Sequence, residues 1–133
     1  AAAVAAKTLE IYEKRNIVGH VQSVAPTFEG RIAKLADHPL VGNTRAKGLI
    51  GSIELVADKA TKRSFEAKHG LGAKVQAAAQ AHGLIVRALA GDIVAFCPPL
   101  IITAAEVDEM FDRVTRALDD VEALVSKEGL RAA

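Results

Sequence analysis

The side chains that could do chemistry are few and stand apart. Cys97, the single cysteine, ends the apolar run Ile93-Val94-Ala95-Phe96 and precedes Pro98-Pro99. No second Cys or His lies at ligand or catalytic spacing, so it reads as a buried small hydrophobe. One cysteine cannot form an internal disulfide, and a reducing compartment follows as the simplest expectation. His20, His38, His69 and His82 occur singly, without a metal-like pair, and read as surface or turn residues. The glycines around Gly48 and Gly70 match neither a dinucleotide nor a P-loop spacing and read as turns or bulges. Asp119-Asp120 belong to the solvated face of the last helix. Arg87, after Leu84-Ile85-Val86, reads on its own as a strand-end arginine in a surface ion pair. Residue types alone name no catalytic or metal-binding residue.

Composition narrows the classes of partner. The chain has 133 residues, half of them hydrophobic and a quarter charged, which suits one domain with one core. Seventeen Lys and Arg against sixteen Asp and Glu leave a formal charge of +1. That balance gives no broad field to attract nucleic acid or an acidic membrane. Four Phe, one Tyr and no Trp provide no platform for stacked bases. No apolar run is long enough to span a bilayer, and Ala1-Ala2-Ala3-Val4 lacks the basic lead of a signal peptide. Neither nucleic acid nor membrane is expected as a partner, and a cytoplasmic location is.

The elements that must carry these residues follow from periodicity. Residues 1–16 are rich in helix formers, with Val4, Leu9, Ile11 and Tyr12 on one broad face. No capping residue precedes this helix, and the lone methionine is Met110, so an upstream continuation is expected. A second amphipathic stretch covers about 17–36, where Pro26 either starts a new segment or kinks this one. Residues 41–56 change period around Gly48 and Gly51 and predict a strand, or a bent pair. Residues 58–70 are polar and predict a loop, and 71–82 predict a short helix closed by Gly83. Leu84–Arg87 and Ile93–Cys97 are expected as strands flanking an Ala90-Gly91-Asp92 turn, ended by the two prolines. Thr103-Ala104-Ala105-Glu106 is a capping box, with Ile102 and Val107 as its hydrophobic staple. Val107, Met110, Phe111, Val114, Leu118, Val121 and Leu124 then form a helical stripe that Gly129 stops. The expected fold class is α+β: a small, mostly antiparallel mixed sheet with helices packed on one face.

The run from Gly83 to Leu100, followed by Ile101-Ile102-Thr103 and Glu106-Val107-Asp108-Glu109, resembles class III aminotransferases, nearest to the omega-amino-acid or amine:pyruvate group. Lys7-Thr8-Leu9-Glu10-Ile11-Tyr12 is similar to the family's inter-domain helix. Lys47 to Val56 is similar to the first strands of its C-terminal small domain, although Ala46 stands where relatives often carry Gly. The resemblance implies residues 1–16 as the end of the inter-domain helix and 17–133 as the small domain. It implies a homodimer that moves an amino group between an amine or omega-amino acid and a keto acid such as pyruvate, using pyridoxal 5'-phosphate. The family's cofactor lysine, the aspartate facing the pyridine nitrogen and the phosphate-binding threonine fall upstream of Ala1. The missing upstream domain is therefore an expected partner, no cofactor is expected on this chain alone, and the chain alone is expected to be inactive. One site residue carries over: Arg87 matches the arginine that pairs with a substrate carboxylate and swings aside for a bulky apolar group. A guanidinium suits that role because its fork donates two parallel hydrogen bonds.

Two classes of function stand at this point. The first is part of an aminotransferase; the second is a free-standing α+β module that binds a partner or effector without catalysis. The uncapped first helix and its apolar face favour the first.

Overall fold

The final helix starts where its own side chains satisfy its first backbone donors. The computed structural model describes residues 1–132, and α4 spans Ala104–Glu128. Thr103 Oγ1 accepts from Glu106 N at 3.3 Å, and the Glu106 carboxylate accepts from Thr103 N at 2.8 Å, which is the expected capping box. The helix buries Val107, Met110, Phe111, Val114, Leu118 and Val121 as expected, with Ala117 and Val125 added. Leu124 is only half-buried; Val125 takes the last core position, and the helix stops at Gly129, which adopts φ +64°.

Three helices precede it. Helix α1 (Ala2–Lys14) is followed by Arg15 and by Asn16, a left-handed residue that turns the chain into α2 (Ile17–Lys34). The second runs unbroken through Pro26, so this proline starts no new segment. Val24, Phe28 and Ile32 line its buried face, and Leu35 continues it into a 3₁₀ turn. Helix α3 (Leu71–Ala81) follows a loop that carries a 3₁₀ turn at Ala67–His69.

The sheet contains strands β1 (Val41–Lys47), β2 (Ile50–Leu55), β3 (Arg87–Leu89) and β4 (Ile93–Phe96) in the order β1-β2-β4-β3. Every pairing is antiparallel, so the mixed sheet expected from the sequence is wholly antiparallel. Residues 41–56 form the bent pair: Gly48 supplies the positive φ of the turn, and its N–H donates to Glu29 Oε1 at 2.8 Å. The strand expected at 84–87 begins instead at Arg87. Gly83 N bonds Gln80 O and Leu84 N bonds Ala79 O, a Schellman closure that keeps Leu84 tied to the end of α3. Three residues are thereby withheld from the sheet.

One face of the sheet is core. Gly51, Ile53 and Leu55 of β2 and Val94 and Phe96 of β4 are buried, alternating with exposed or half-buried neighbours. Helix α2 packs on β1 and β2, α3 packs on β3 and β4, and α4 lies against both helices. The Phe111 ring meets Phe28 edge-on with centroids 5.3 Å apart and reaches Phe96 at 5.6 Å, so α4 contributes to the same core. Charged bonds fix the helices laterally. Arg31 of α2 pairs with Asp108 and Asp112 of α4, and Arg113 of α4 donates to the free carbonyls of His82 and Gly83 at 3.0 and 2.9 Å.

Candidate functional site

The other face of the sheet holds the candidate site. Register places Arg87 opposite Ala95, Ala95 opposite Ser52, and Ser52 opposite Arg45, one residue from each strand in a single row. Their neighbours Ala88, Val94 and Ile53 form the adjoining row and face the helices. The two arginines therefore project from the opposite face, with only the short side chains of Ala95 and Ser52 between them.

Their electrostatic states differ. Arg45 forms an ion pair with Glu54, its diagonal neighbour on β2. Arg87 is exposed and makes no ion pair or side-chain hydrogen bond among the described residues. The surface ion pair that its isolated sequence context predicts is not formed. A guanidinium left with its donors free, on the smooth face of a sheet, can take an external carboxylate in a two-pronged bond.

Cys97 departs from expectation. It is exposed, because strand alternation turns Phe96 inward and the next residue outward. It lines a cleft of about 610 Å³ whose walls include Ile85, Pro98, Ile101 and Met110. His38 and His82 lie at a bend and a turn as expected, whereas His20 lies within α2, and each of these three has a side-chain partner. His20 Nε2 lies 2.9 Å from Ile102 O, and His82 Nε2 lies 2.7 Å from Asp120 Oδ2. His38 Nδ1 accepts from Leu40 N at 3.2 Å, and its Nε2 faces Asp119 Oδ1 at 3.4 Å. Burial holds the His38 pKa below its ordinary value, outweighing the Asp119 carboxylate, which acts in the opposite direction.

A covalently held carbonyl cofactor needs an amine kept uncharged by an apolar surrounding. None of the nine lysines is buried. Lys7 and Lys68 pair with Glu10 and Glu66, and Lys59 donates to the Ala36 and His38 carbonyls. Within this chain, no lysine among the described residues is enclosed in that way.

Local pattern marks no tertiary role for Gln76 or for Asp92 of the expected turn, yet Gln76 of α3 reaches the strand that carries Arg87, and Asp92 reaches the start of α3. Gln76 Oε1 accepts from Ala88 N at 2.8 Å, and Asp92 Oδ1 accepts from Gly72 N at 2.9 Å. Both are contacts between elements, invisible to local periodicity.

This is an α+β domain with an exposed arginine, unpaired among the described residues, on one face of its sheet, and known proteins share the fold. The family description "Aminotransferase class-III" matches residues 1–118, and the chain belongs to that family. It is 35% identical to a chloroplastic gamma aminobutyrate transaminase 3 of Solanum lycopersicum, over 94% of this chain and 24% of the relative. It is 37% identical to a putrescine–pyruvate aminotransferase of Pseudomonas aeruginosa, over 94% of this chain and 27% of the relative. Among solved structures, a transaminase with L-Ala superposes with a TM-score of 0.87 at 44% identity, over 93% of this chain and 29% of that one. The omega-transferase of Vibrio fluvialis JS17 gives 0.89 at 36% identity, again over 93% and 29%. The chain thus spans about a quarter of the length of the curated relatives it matches.

Proposed function

We propose that this chain is the C-terminal, substrate-reading part of a class III aminotransferase that moves an amino group between an amine or omega-amino acid and a keto acid such as pyruvate. Residues 1–16 form the end of its inter-domain helix and residues 17–133 its small domain. The observation that carries the reading is Arg87, exposed on the open face of the sheet and without an acidic partner among the described residues. Its task is to bind and orient a substrate carboxylate, holding the reacting end of the substrate at a fixed distance. The carbonyl chemistry of amino transfer belongs to pyridoxal phosphate, and no step of that chemistry is assigned to residues of this chain.

Two further features support a larger assembly. No residue of α1 is buried, and Val4 and Leu9 are 70% and 64% exposed on its apolar face. That is the condition of a helix whose partner surface belongs to another part of the enzyme. The proposed partners are the cofactor-binding domain of the same enzyme and a second subunit of a homodimer.

The test compares the purified 133-residue chain with the complete enzyme that carries it, each titrated with pyridoxal phosphate and assayed with an omega-amino acid and pyruvate. Turnover and a cofactor absorbance band in the complete enzyme alone are expected. Turnover by the 133-residue chain, or none by the complete enzyme, overturns the reading.

A further inference from the structure

We propose that Gln76, Gly72 and Asp92 are positioning residues that set the reach of Arg87 by clasping the β3–β4 hairpin to α3 at two points. The proposal rests on the carboxylate reading of Arg87 given above.

Strand β3 has three residues and a single strand neighbour, β4. So short an edge strand is held weakly by its own ladder, and the side chain at its first position inherits that looseness. The structure supplies the missing restraint from α3. The Ala88 N–H, immediately after Arg87, donates to Gln76 Oε1 at 2.8 Å, where an open edge would present it to water. At the far end of the hairpin, Asp92 Oδ1 accepts from Gly72 N at 2.9 Å.

The second bond also serves the helix. Gly70, at the start of α3, has no side chain with which to cap it and adopts φ +55°. Asp92 therefore supplies the cap from across the hairpin, as a carboxylate at a helix N-terminus. Asp92 does so from φ +53°, a conformation that costs a non-glycine residue and persists only where its surroundings hold it. Gly72 allows the approach: a Cβ there would lie 3.3 Å from Asp92 Cα and 3.6 Å from Ala88 Cβ. Donor, acceptor and clearance agree on one seating of the hairpin. Arg87 is the residue next to the clasp, with its side chain on the face opposite α3, so the seating fixes where its guanidinium can reach. An error of about 1 Å in such a group is enough to lose a productive substrate pose.

The experiment uses the complete enzyme and three variants: Gln76→Leu, which removes the acceptor at similar size, Gln76→Glu, which keeps an acceptor oxygen, and Arg87→Ala. Two quantities are read. One is the ratio of kcat/KM for an omega-amino-acid donor to that for a simple amine; the other is amide hydrogen exchange at Ala88 and Leu89. Gln76→Leu is expected to speed exchange about tenfold and to lower the ratio roughly threefold to tenfold through KM for the carboxylate donor. Gln76→Glu is expected to restore both, and Gln76→Leu is expected to lower the ratio no further in an Arg87→Ala background. A ratio that survives Gln76→Leu but collapses in Arg87→Ala overturns the positioning role and leaves the carboxylate reading standing. A ratio unmoved by Arg87→Ala removes the carboxylate reading and the positioning role with it. Should Gln76→Leu fail to fold, Asp92→Ala breaks the clasp from the other side and is judged by the same two outcomes.

Discussion

Arg87 and Arg45 occupy the two ends of one cross-strand row, separated by Ala95 and Ser52, and only Arg45 has an acidic partner, Glu54. Three strand spacings put their backbones roughly 14 Å apart. Both guanidiniums project from the same face, yet Glu54 neutralises one and leaves the other with its donors free. The asymmetry separates a structural arginine from one available to a ligand. It predicts that Arg45→Ala, unlike Arg87→Ala, lowers stability by no more than about 1 kcal/mol, the worth of an exposed pair, and leaves donor preference intact. A urea melt and a two-donor assay of the complete enzyme check both halves.

Gly51 is required by packing. A Cβ at this position would come within 2.5 Å of Ile32 Cδ1 and 2.8 Å of the Arg45 carbonyl oxygen. The isoleucine tip can yield, but the carbonyl belongs to the β1 ladder and cannot. Gly51→Ala is expected to cost about 2 kcal/mol, seen as a lower urea midpoint with little change in slope.

His38 gives stability a defined pH dependence. Its Nδ1 accepts the Leu40 N–H, which requires that nitrogen to be unprotonated, and burial lowers its pKa in the folded chain. The unfolded chain therefore binds this proton first as pH falls. Stability from His38 is complete above about pH 6.5 and declines as pH drops from there toward the lower folded value. A His38→Gln variant is expected to show a flatter stability profile between about pH 7 and 5 than the parent. A parallel profile would remove His38 as the cause.

Glu122 works through the opposite ionisation. Arg131 donates to both of its oxygens, at 2.6 and 2.7 Å, and the Arg131 hydrogen bonds hold the carboxyl below the usual glutamate range. Arg131 also donates to Ala57 O at 3.1 Å, so the pair ties the residues after α4 to the segment after β2. Its stabilisation is present above about pH 4.5 and is lost as pH falls through the depressed folded value. Glu122→Gln is expected to cost about 1 kcal/mol at neutral pH, discounted for partial solvent exposure, and less in acid, as read from thermal melts at pH 7 and 4.

The sequence made some features legible because their determinants are local. Thr103 and Glu106 are three residues apart and cap the same turn; Gly83 and Gly129 end helices because they adopt positive φ without a Cβ penalty. The β3–β4 hairpin is readable from Gly91 for the same reason, whereas the glycines at 48 and 51 leave a single strand and a bent pair both open. What escaped is set by tertiary or main-chain closure. Leu84 looks like a strand residue, but its N–H is taken by Ala79 O. Cys97 looks like core, but the inward turn of Phe96 fixes it outward. Arg87 entered as a candidate through family resemblance, since nothing in its neighbours distinguishes a ligand-binding arginine from an ion-paired one. Gln76 and Asp92 lie 12 and 20 residues from their partners and left no periodic trace.

The most direct test of the account is the donor preference of the complete enzyme with Arg87→Ala. The account predicts a fall in kcat/KM for carboxylate-bearing donors of about 1.5–3 kcal/mol in transition-state stabilisation, on the order of tenfold to 150-fold, with a much smaller change for simple amines. Equal losses for both kinds of donor would contradict it and take Arg87 out of the substrate site.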